Sequence, residues 1–86
     1  MANPESVLYT NEEVAKHDSE GDCWVVWKDR VYNVTSYVRS HPGGKRLLKA
    51  AGRNCEEFTN KFHPWLDVHK IVGRLQVGVL ASSVLE

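Results

Sequence analysis

The chain has 86 residues with 11 basic and 11 acidic side chains, so its formal net charge is zero and no overall basic field indicates nucleic-acid binding. Hydrophobic residues make up 42% and charged residues 26%, which is ordinary for one small globular domain. No apolar run approaches the roughly 20 residues that span a bilayer, residues 1–10 lack the pattern of a signal peptide, and two cysteines are too few for a disulfide framework. We therefore expect one soluble domain over residues 7–82, preceded by a loose segment 1–6 and followed by a tail 83–86.

The first half of the chain predicts a short helix followed by a β-hairpin. Thr10 and Glu13 have the spacing of a capping box, which predicts a helix over residues 11–17. The aromatic and β-branched run 23–27 predicts a strand that is buried on both faces. Residues 31–35 predict its partner strand across a short turn.

Glycine and proline divide the second half into short helices, with Ser36 and Asn54 as candidate N-caps. Pro42 disfavours helical backbone in the residue before it, so the first of these helices should end near His41. The predicted helices cover 37 to about 40, 43–51, 55–61 and 65–72, and the predicted last strand covers 75–80. This order predicts an α+β fold, with a small mixed β-sheet and two helix pairs between its strands.

Two histidines lie in similar local contexts, each directly before a proline and between predicted helices. One stands in His41-Pro42-Gly43-Gly44 and the other in His63-Pro64-Trp65, so each ring projects from a loop of restricted backbone. Glycines allow a planar group to approach the backbone closely. The segment between the histidines supplies apolar side chains, namely Leu47, Leu48, Phe58 and Phe62. Two imidazoles beside an apolar slot suit a haem iron, and without a Cys-x-x-Cys-His motif the haem would be held non-covalently.

A zinc site is the alternative metal centre for these residues. Its ligands would be His41, His63, His69 and Cys55. This set lacks the closely spaced Cys or His pairs that are typical of zinc sites, which favours haem.

The chain also resembles the cytochrome b5 family over about residues 9–80. The resemblance rests on these segments: Asp22-Cys23-Trp24, Val31-Tyr32-Asn33-Val34-Thr35, His41-Pro42-Gly43-Gly44 and His63. The segment 22–24 and the His63-x-Trp65 context are similar to the haem domain of cytochrome b5–cytochrome b5 reductase fusion proteins. The resemblance implies a cytochrome b5-like fold in which the two helix pairs form the haem pocket.

The resemblance also implies roles for individual residues. His41 and His63 correspond to the two axial ligands of the iron. Tyr37, Leu47, Leu48 and Phe58 match pocket positions, and the remaining expected pocket residues are Pro42, Gly43, Phe62, Trp65, Leu66 and Ile71. Phe62 and Pro64 depart from the residues that usually flank the second ligand, and His69 is the rival ligand.

With both axial positions filled, the resemblance implies a one-electron carrier with one haem b per chain, and not an enzyme in its own right. It would be a monomer in the cytoplasm, or the haem domain of a larger NAD(P)H-dependent oxidoreductase at the endoplasmic reticulum surface. A flavoprotein reductase would donate electrons, and a haem or non-haem iron oxidase, a desaturase or a hydroxylase would accept them. Two alternatives stay open: a non-redox haem- or sterol-binding regulatory module, and a haem ligand sensor with a labile axial ligand.

Overall fold

The computed structural model describes residues 4–40, 44–62 and 67–81. Within these residues the chain forms a six-stranded mixed sheet, four short α-helices and three 3₁₀ helices. The strands are β1 (Leu8–Tyr9), β2 (Asp18–Ser19), β3 (Asp22–Trp27), β4 (Arg30–Asn33), β5 (Arg53–Asn54) and β6 (Gln76–Leu80). The α-helices are α1 (Asn11–Ala15), α2 (Thr35–Ser40), α3 (Glu56–Phe62) and α4 (Val68–Val72), and the 3₁₀ helices are η1 (Pro4–Ser6), η2 (Gly44–Ala50) and η3 (Gly73–Leu75). The predicted α+β class is confirmed.

The sheet is built around the hairpin of β3 and β4, which confirms the predicted pairing of these segments. Its order is β1-β6-β4-β3-β2, with β5 paired to β3 off this path, and the pairs β1–β6 and β3–β5 are parallel. A two-residue turn joins β3 to β4, because Trp27 pairs with Arg30. Lys28 and Asp29 have φ values of 48° and 65°, the left-handed region that tight hairpin turns require.

Side chains on the two faces of the sheet enter two separate cores, because successive residues of a strand point to opposite faces. Cys23, Val25 and Trp27 of β3 enter the helix-side core, and Val26 enters the opposite core. The other buried members of the helix-side core are Tyr32, Val34, Val38, Ala50, Cys55, Val68 and Val72. The opposite core consists of Val14, Val26, Val31 and Leu80, with Tyr9, Trp24 and Val77 packed against it. The prediction that β3 is covered on both faces is therefore confirmed, and the helix pairs lie on one face.

The predicted capping box of α1 is confirmed. The Thr10 hydroxyl accepts a hydrogen bond from the Glu13 backbone N–H at 3.1 Å, and the Glu13 carboxylate accepts one from the Thr10 backbone N–H at 3.4 Å. The helix is shorter than predicted, since it ends at Ala15 with Lys16 as its C-cap. The carbonyl of His17 accepts a hydrogen bond from the Trp24 N–H at 2.9 Å, so this residue already belongs to the edge of the hairpin.

The predicted strand over residues 31–35 is wrong at its end. The side-chain oxygen of Asn33 accepts hydrogen bonds from both the backbone N–H and the hydroxyl of Thr35, at 3.2 and 2.7 Å. This local turn ends β4 at Asn33 and starts α2 at Thr35, one residue before the predicted cap, Ser36.

Two predicted helices also differ from those in the structure. The segment after Gly43 forms the 3₁₀ helix η2, and the chain leaves it through Gly52, which has a φ of 76°. The predicted helix over residues 65–72 begins instead at Val68. Asp67 has extended backbone, and its carboxylate accepts a hydrogen bond from the Lys70 N–H at 3.2 Å, so it is the N-cap.

Candidate functional site

Each candidate ligand directly follows one of the short helices in the sequence. His41 directly follows α2, which ends at Ser40, and His63 directly follows α3, which ends at Phe62. Six of the predicted site residues lie outside the described residues: His41, Pro42, Gly43, His63, Trp65 and Leu66. Phe58 and Phe62 belong to α3, and their side chains are also outside the described part.

Four predicted pocket residues are described, and all four side chains are partly or largely exposed. Tyr37 on α2 and both Leu47 and Leu48 on η2 are only partly buried, with one side packed against the helix-side core. Ile71 on α4 is 44% exposed. Among the described residues, Leu8 is the one other large hydrophobic residue that is similarly exposed, at 46%. Tyr37, Leu47 and Leu48 therefore pack against one core, whereas Ile71 is not covered by the residues that the structure describes.

Four apolar residues of the helix-side core were not among the predicted pocket residues. These are Val38, Val68, Val72 and Leu75, of which the first three are buried in the helix-side core and the last packs against it. Val68 and Val72 are four residues apart, which places them on one face of a helix. That spacing is visible in the sequence, and it could have identified the buried face of α4.

His69, the rival ligand, has a structural contact of its own. Its Nδ1 lies 3.0 Å from the hydroxyl oxygen of Tyr32, which is fully buried in the helix-side core. The imidazole also packs against Gly73, where an added Cβ would lie 3.1 Å from the nearest ring atom. Burial raises the pKa of Tyr32 to about 12, so its hydroxyl stays protonated at neutral pH. This hydrogen bond therefore connects α4 to β4 of the sheet.

Cys55 has the environment of a packing residue. Its side chain is fully buried directly before α3, and burial raises the pKa of its thiol to about 12. A cysteine binds zinc as a thiolate, so a buried thiol that stays protonated at neutral pH disfavours the alternative zinc set. Within residues 4–40, 44–62 and 67–81, no group of three His, Cys, Asp or Glu side chains is placed to hold a metal ion.

The remaining histidine, His17, stands with Trp24 on the opposite face of the sheet. Its ring is stacked on the indole of Trp24 with centroids 3.8 Å apart, and its Nδ1 lies 2.7 Å from a carboxylate oxygen of Asp22. Both residues therefore have packing roles.

The chemistry of these residues fits a haem. A porphyrin needs apolar cover, and the partly exposed side chains of Tyr37, Leu47, Leu48 and Ile71 provide apolar surface on the helix side of the sheet. Imidazole is a good iron ligand, and each of the two connections contains one histidine before a proline.

Comparison with known proteins defines the class. A family model described as the cytochrome b5-like heme/steroid binding domain matches residues 10–81. The chain belongs to this family, and it is a cytochrome b5-like haem-binding domain.

Similar curated proteins include both small cytochromes and much longer enzymes. The chain is 36% identical over 79 residues to a cytochrome b5 of Candida tropicalis. This match covers 91% of this chain and 61% of that protein. It is 37% identical over 73 residues to cytochrome b5 reductase 4 of Xenopus tropicalis, covering 84% of this chain and 14% of that protein. It is 38% identical over 77 residues to acyl-lipid (8-3)-desaturase B of Dictyostelium discoideum, covering 87% of this chain and 16% of that protein. The chain thus spans less than two thirds of the length of these relatives.

Solved structures agree with the fold. The cytochrome b5 of Ostreococcus tauri virus 2 matches with a TM-score of 0.70 and 34% identity, covering 83% of this chain and 92% of that one. Cytochrome b558 of Ectothiorhodospira vacuolata, described as a prokaryotic homologue of cytochrome b5, matches with a TM-score of 0.75 and 30% identity, covering 86% of this chain and 98% of that one. Among the described residues no helix is both long and apolar enough to cross a membrane.

Proposed function

We propose that the chain carries single electrons through one non-covalently bound haem b whose iron is ligated by His41 and His63. The observation that carries this proposal is that each histidine directly follows a short helix, α2 for His41 and α3 for His63, while α2, η2 and α4 contribute apolar side chains to one core. Haem with both axial positions taken by histidine supplies one-electron exchange and leaves no coordination position for a substrate.

The chain's own residues have distinct roles in this proposal. His41 and His63 would hold the iron, and Pro42 and Gly43 would keep the first connection out of a regular helix and free of bulky side chains. The apolar residues that would cover the two faces of the porphyrin and exclude water are Tyr37, Leu47, Leu48, Phe58, Phe62, Trp65, Leu66 and Ile71. His69 has no contact with the haem in this proposal, because its Nδ1 is hydrogen-bonded to the Tyr32 hydroxyl.

The names of the relatives support a place between a reductase and an oxidase. A cytochrome b5 reductase and an acyl-lipid desaturase each contain a region similar to this chain. We therefore propose a flavoprotein reductase as donor and a haem or non-haem iron oxidase, a desaturase or a hydroxylase as acceptor. We also propose a monomer in the cytoplasm, or at the endoplasmic reticulum surface within a longer protein, with the haem domain over residues 7–82.

The ligands can be tested by reconstituting four proteins with haem and recording absorption spectra: wild type, His41→Ala, His63→Ala and His69→Ala. We expect the first two variants to lose the six-coordinate spectrum, because each removes an axial ligand. His69→Ala is the matched control, and it should keep the wild-type spectrum while losing only the hydrogen bond to Tyr32. A wild-type spectrum for His63→Ala together with an altered one for His69→Ala would overturn the assignment of the second ligand.

A further inference from the structure

The segment between the two proposed ligand connections is basic, although the chain as a whole is neutral. Residues 44–62 have a formal charge of +3, from five basic and two acidic side chains. These are Lys45, Arg46, Lys49, Arg53 and Lys61, against Glu56 and Glu57. The charge therefore concentrates next to the proposed haem site.

The geometry of η2 groups three of these basic residues on its exposed side. In a 3₁₀ helix, residues three apart lie directly above one another, so Arg46 and Lys49 form one exposed column. Lys45 lies beside them and is also exposed, whereas Leu47 and Leu48 pack against the helix-side core. We call Lys45, Arg46 and Lys49 the cationic rim.

The neighbouring carboxylates do little to neutralise this rim. Glu56 is directed to the hairpin turn, where its carboxylate accepts a hydrogen bond from the Lys28 backbone N–H at 2.9 Å. Lys45 and Glu20 form an ion pair at 3.6 Å, but their side chains are 75% and 52% exposed, so water screens it. Within residues 4–40, 44–62 and 67–81, neither Arg46 nor Lys49 forms an ion pair.

We propose that the cationic rim is the docking surface for an acidic face of a redox partner protein. The inference rests on the proposed function, because it is the proposed haem that gives docking beside this segment a purpose. Charges at the edge of an interface act mainly on the rate of encounter, and they do so over about the Debye length. The cationic rim thus attracts a negative partner surface to η2, which directly follows residues 41–43 in the sequence.

The test uses two redox proteins of opposite surface charge as probes: acidic plastocyanin and basic cytochrome c. Haem-loaded protein is reduced, and its oxidation by each probe is followed by stopped flow at about 20 and about 200 mM salt. Between these two salt concentrations the Debye length falls from about 20 Å to about 7 Å. The variant is Arg46→Glu. Lys16→Glu is the matched control, since it makes the same change in net charge at another exposed helix end, the C-cap of α1.

We expect the rate with plastocyanin to fall at least about threefold with added salt, and Arg46→Glu to lower the low-salt rate by a similar factor. Lys16→Glu should leave that rate nearly unchanged, and both variants should keep the wild-type haem spectrum. A rate with cytochrome c that is fast and falls steeply with salt, or equal effects of the two variants, would overturn the proposal. The proposal would also be overturned if Arg46→Glu lost binding to anionic lipid vesicles while its rate with plastocyanin stayed unchanged. The cationic rim would then recognise lipid.

An equilibrium titration separates this proposal from the proposed function. Amide chemical shifts are recorded while oxidised plastocyanin is added, and residues 45–49 should shift most, with the shifts lost at high salt. The titration does not need haem in the protein. If haem fails to bind, the proposed function is wrong, and the titration still decides whether the rim binds an acidic protein.

Discussion

Tyr32 shows how one polar atom can position a whole helix. The side chain is fully buried in the helix-side core, and a buried hydroxyl without a partner costs free energy. His69 supplies that partner from α4, at 3.0 Å across 37 positions of sequence. The hydrogen bond therefore joins the centre of the hairpin to the helix that follows the second ligand connection.

Replacing Tyr32 by Phe should lower the free energy of unfolding by about 1 kcal/mol, because the variant loses this hydrogen bond and keeps the ring. Urea unfolding of the protein without haem measures the change. Tyr9→Phe is the matched control, because the Tyr9 ring packs edge-on against Trp24 and no hydrogen bond of its hydroxyl is found within the described residues. Equal losses for the two variants would show that the contact with His69 contributes no stability.

The role of His69 was not visible in the sequence. A histidine six residues beyond a proposed ligand is a reasonable rival for the iron when only spacing is known. The contact with Tyr32 depends on how α4 packs against the sheet, and residues 37 positions apart carry no local signal of such a contact. Cys55, the cysteine of the alternative zinc set, is fully buried directly before α3.

Among the elements, the hairpin of β3 and β4 is the frame for both helix pairs. Its turn is fixed from two sides, because the Lys28 N–H donates to Glu56 and the Asp29 carbonyl accepts from the Leu80 N–H. The connection from η2 to β5 meets this frame at Gly52, whose N–H donates to the Trp24 carbonyl at 2.7 Å. The position of η2, and with it the cationic rim, therefore depends on this glycine.

Gly52→Ala should destabilise the fold by about 1–3 kcal/mol, since the residue has a φ of 76° that costs an L-residue free energy. The added Cβ would also lie 2.9 Å from the Cβ of Asp18 and 3.2 Å from the carbonyl oxygen of Ala15. Gly21→Ala is the control, because its nearest neighbour would be a guanidinium nitrogen of Arg39 at 3.9 Å, and its φ lies outside the left-handed region. Thermal and urea unfolding measure both variants, and a Gly52→Ala protein as stable as the control would contradict the strain argued here.

The capping box and the hairpin, which local signals set, were predicted well, and the two-residue strands, which distant contacts set, were not. The capping box of α1 and the paired strands of the hairpin depend on residues close together in sequence, and both are confirmed. The strands β1, β2 and β5 were missed because each has only two residues and exists through pairing with β6 or β3. The start of α4 was predicted too early, although Asp67 is a good N-cap residue and its type alone could have marked the boundary.

On the scale of the whole molecule, a small domain carries two layers with different tasks. The sheet and the opposite core form the frame, and α2, η2 and α4 hold the described apolar surface on the helix side. A domain of 86 residues buries a smaller fraction of its unfolded-chain surface than a large domain does, so a cofactor that binds only the folded state would add a useful share of stability. Sequence alone predicted the class of protein, because the segments that carry the resemblance are short and contiguous, whereas ligation by His41 and His63 stays a prediction.

The central claim is that two histidines fill both axial positions of the iron, and one spectrum tests it most directly. Wild-type protein is reconstituted with haem and reduced, and its absorption spectrum is recorded before and after carbon monoxide is added. We expect a sharp Soret band with resolved α and β bands that do not change with carbon monoxide, because no coordination position is free. A rapid shift of the Soret band on adding carbon monoxide would contradict the account, since it would show an open or labile position and a ligand sensor rather than an electron carrier.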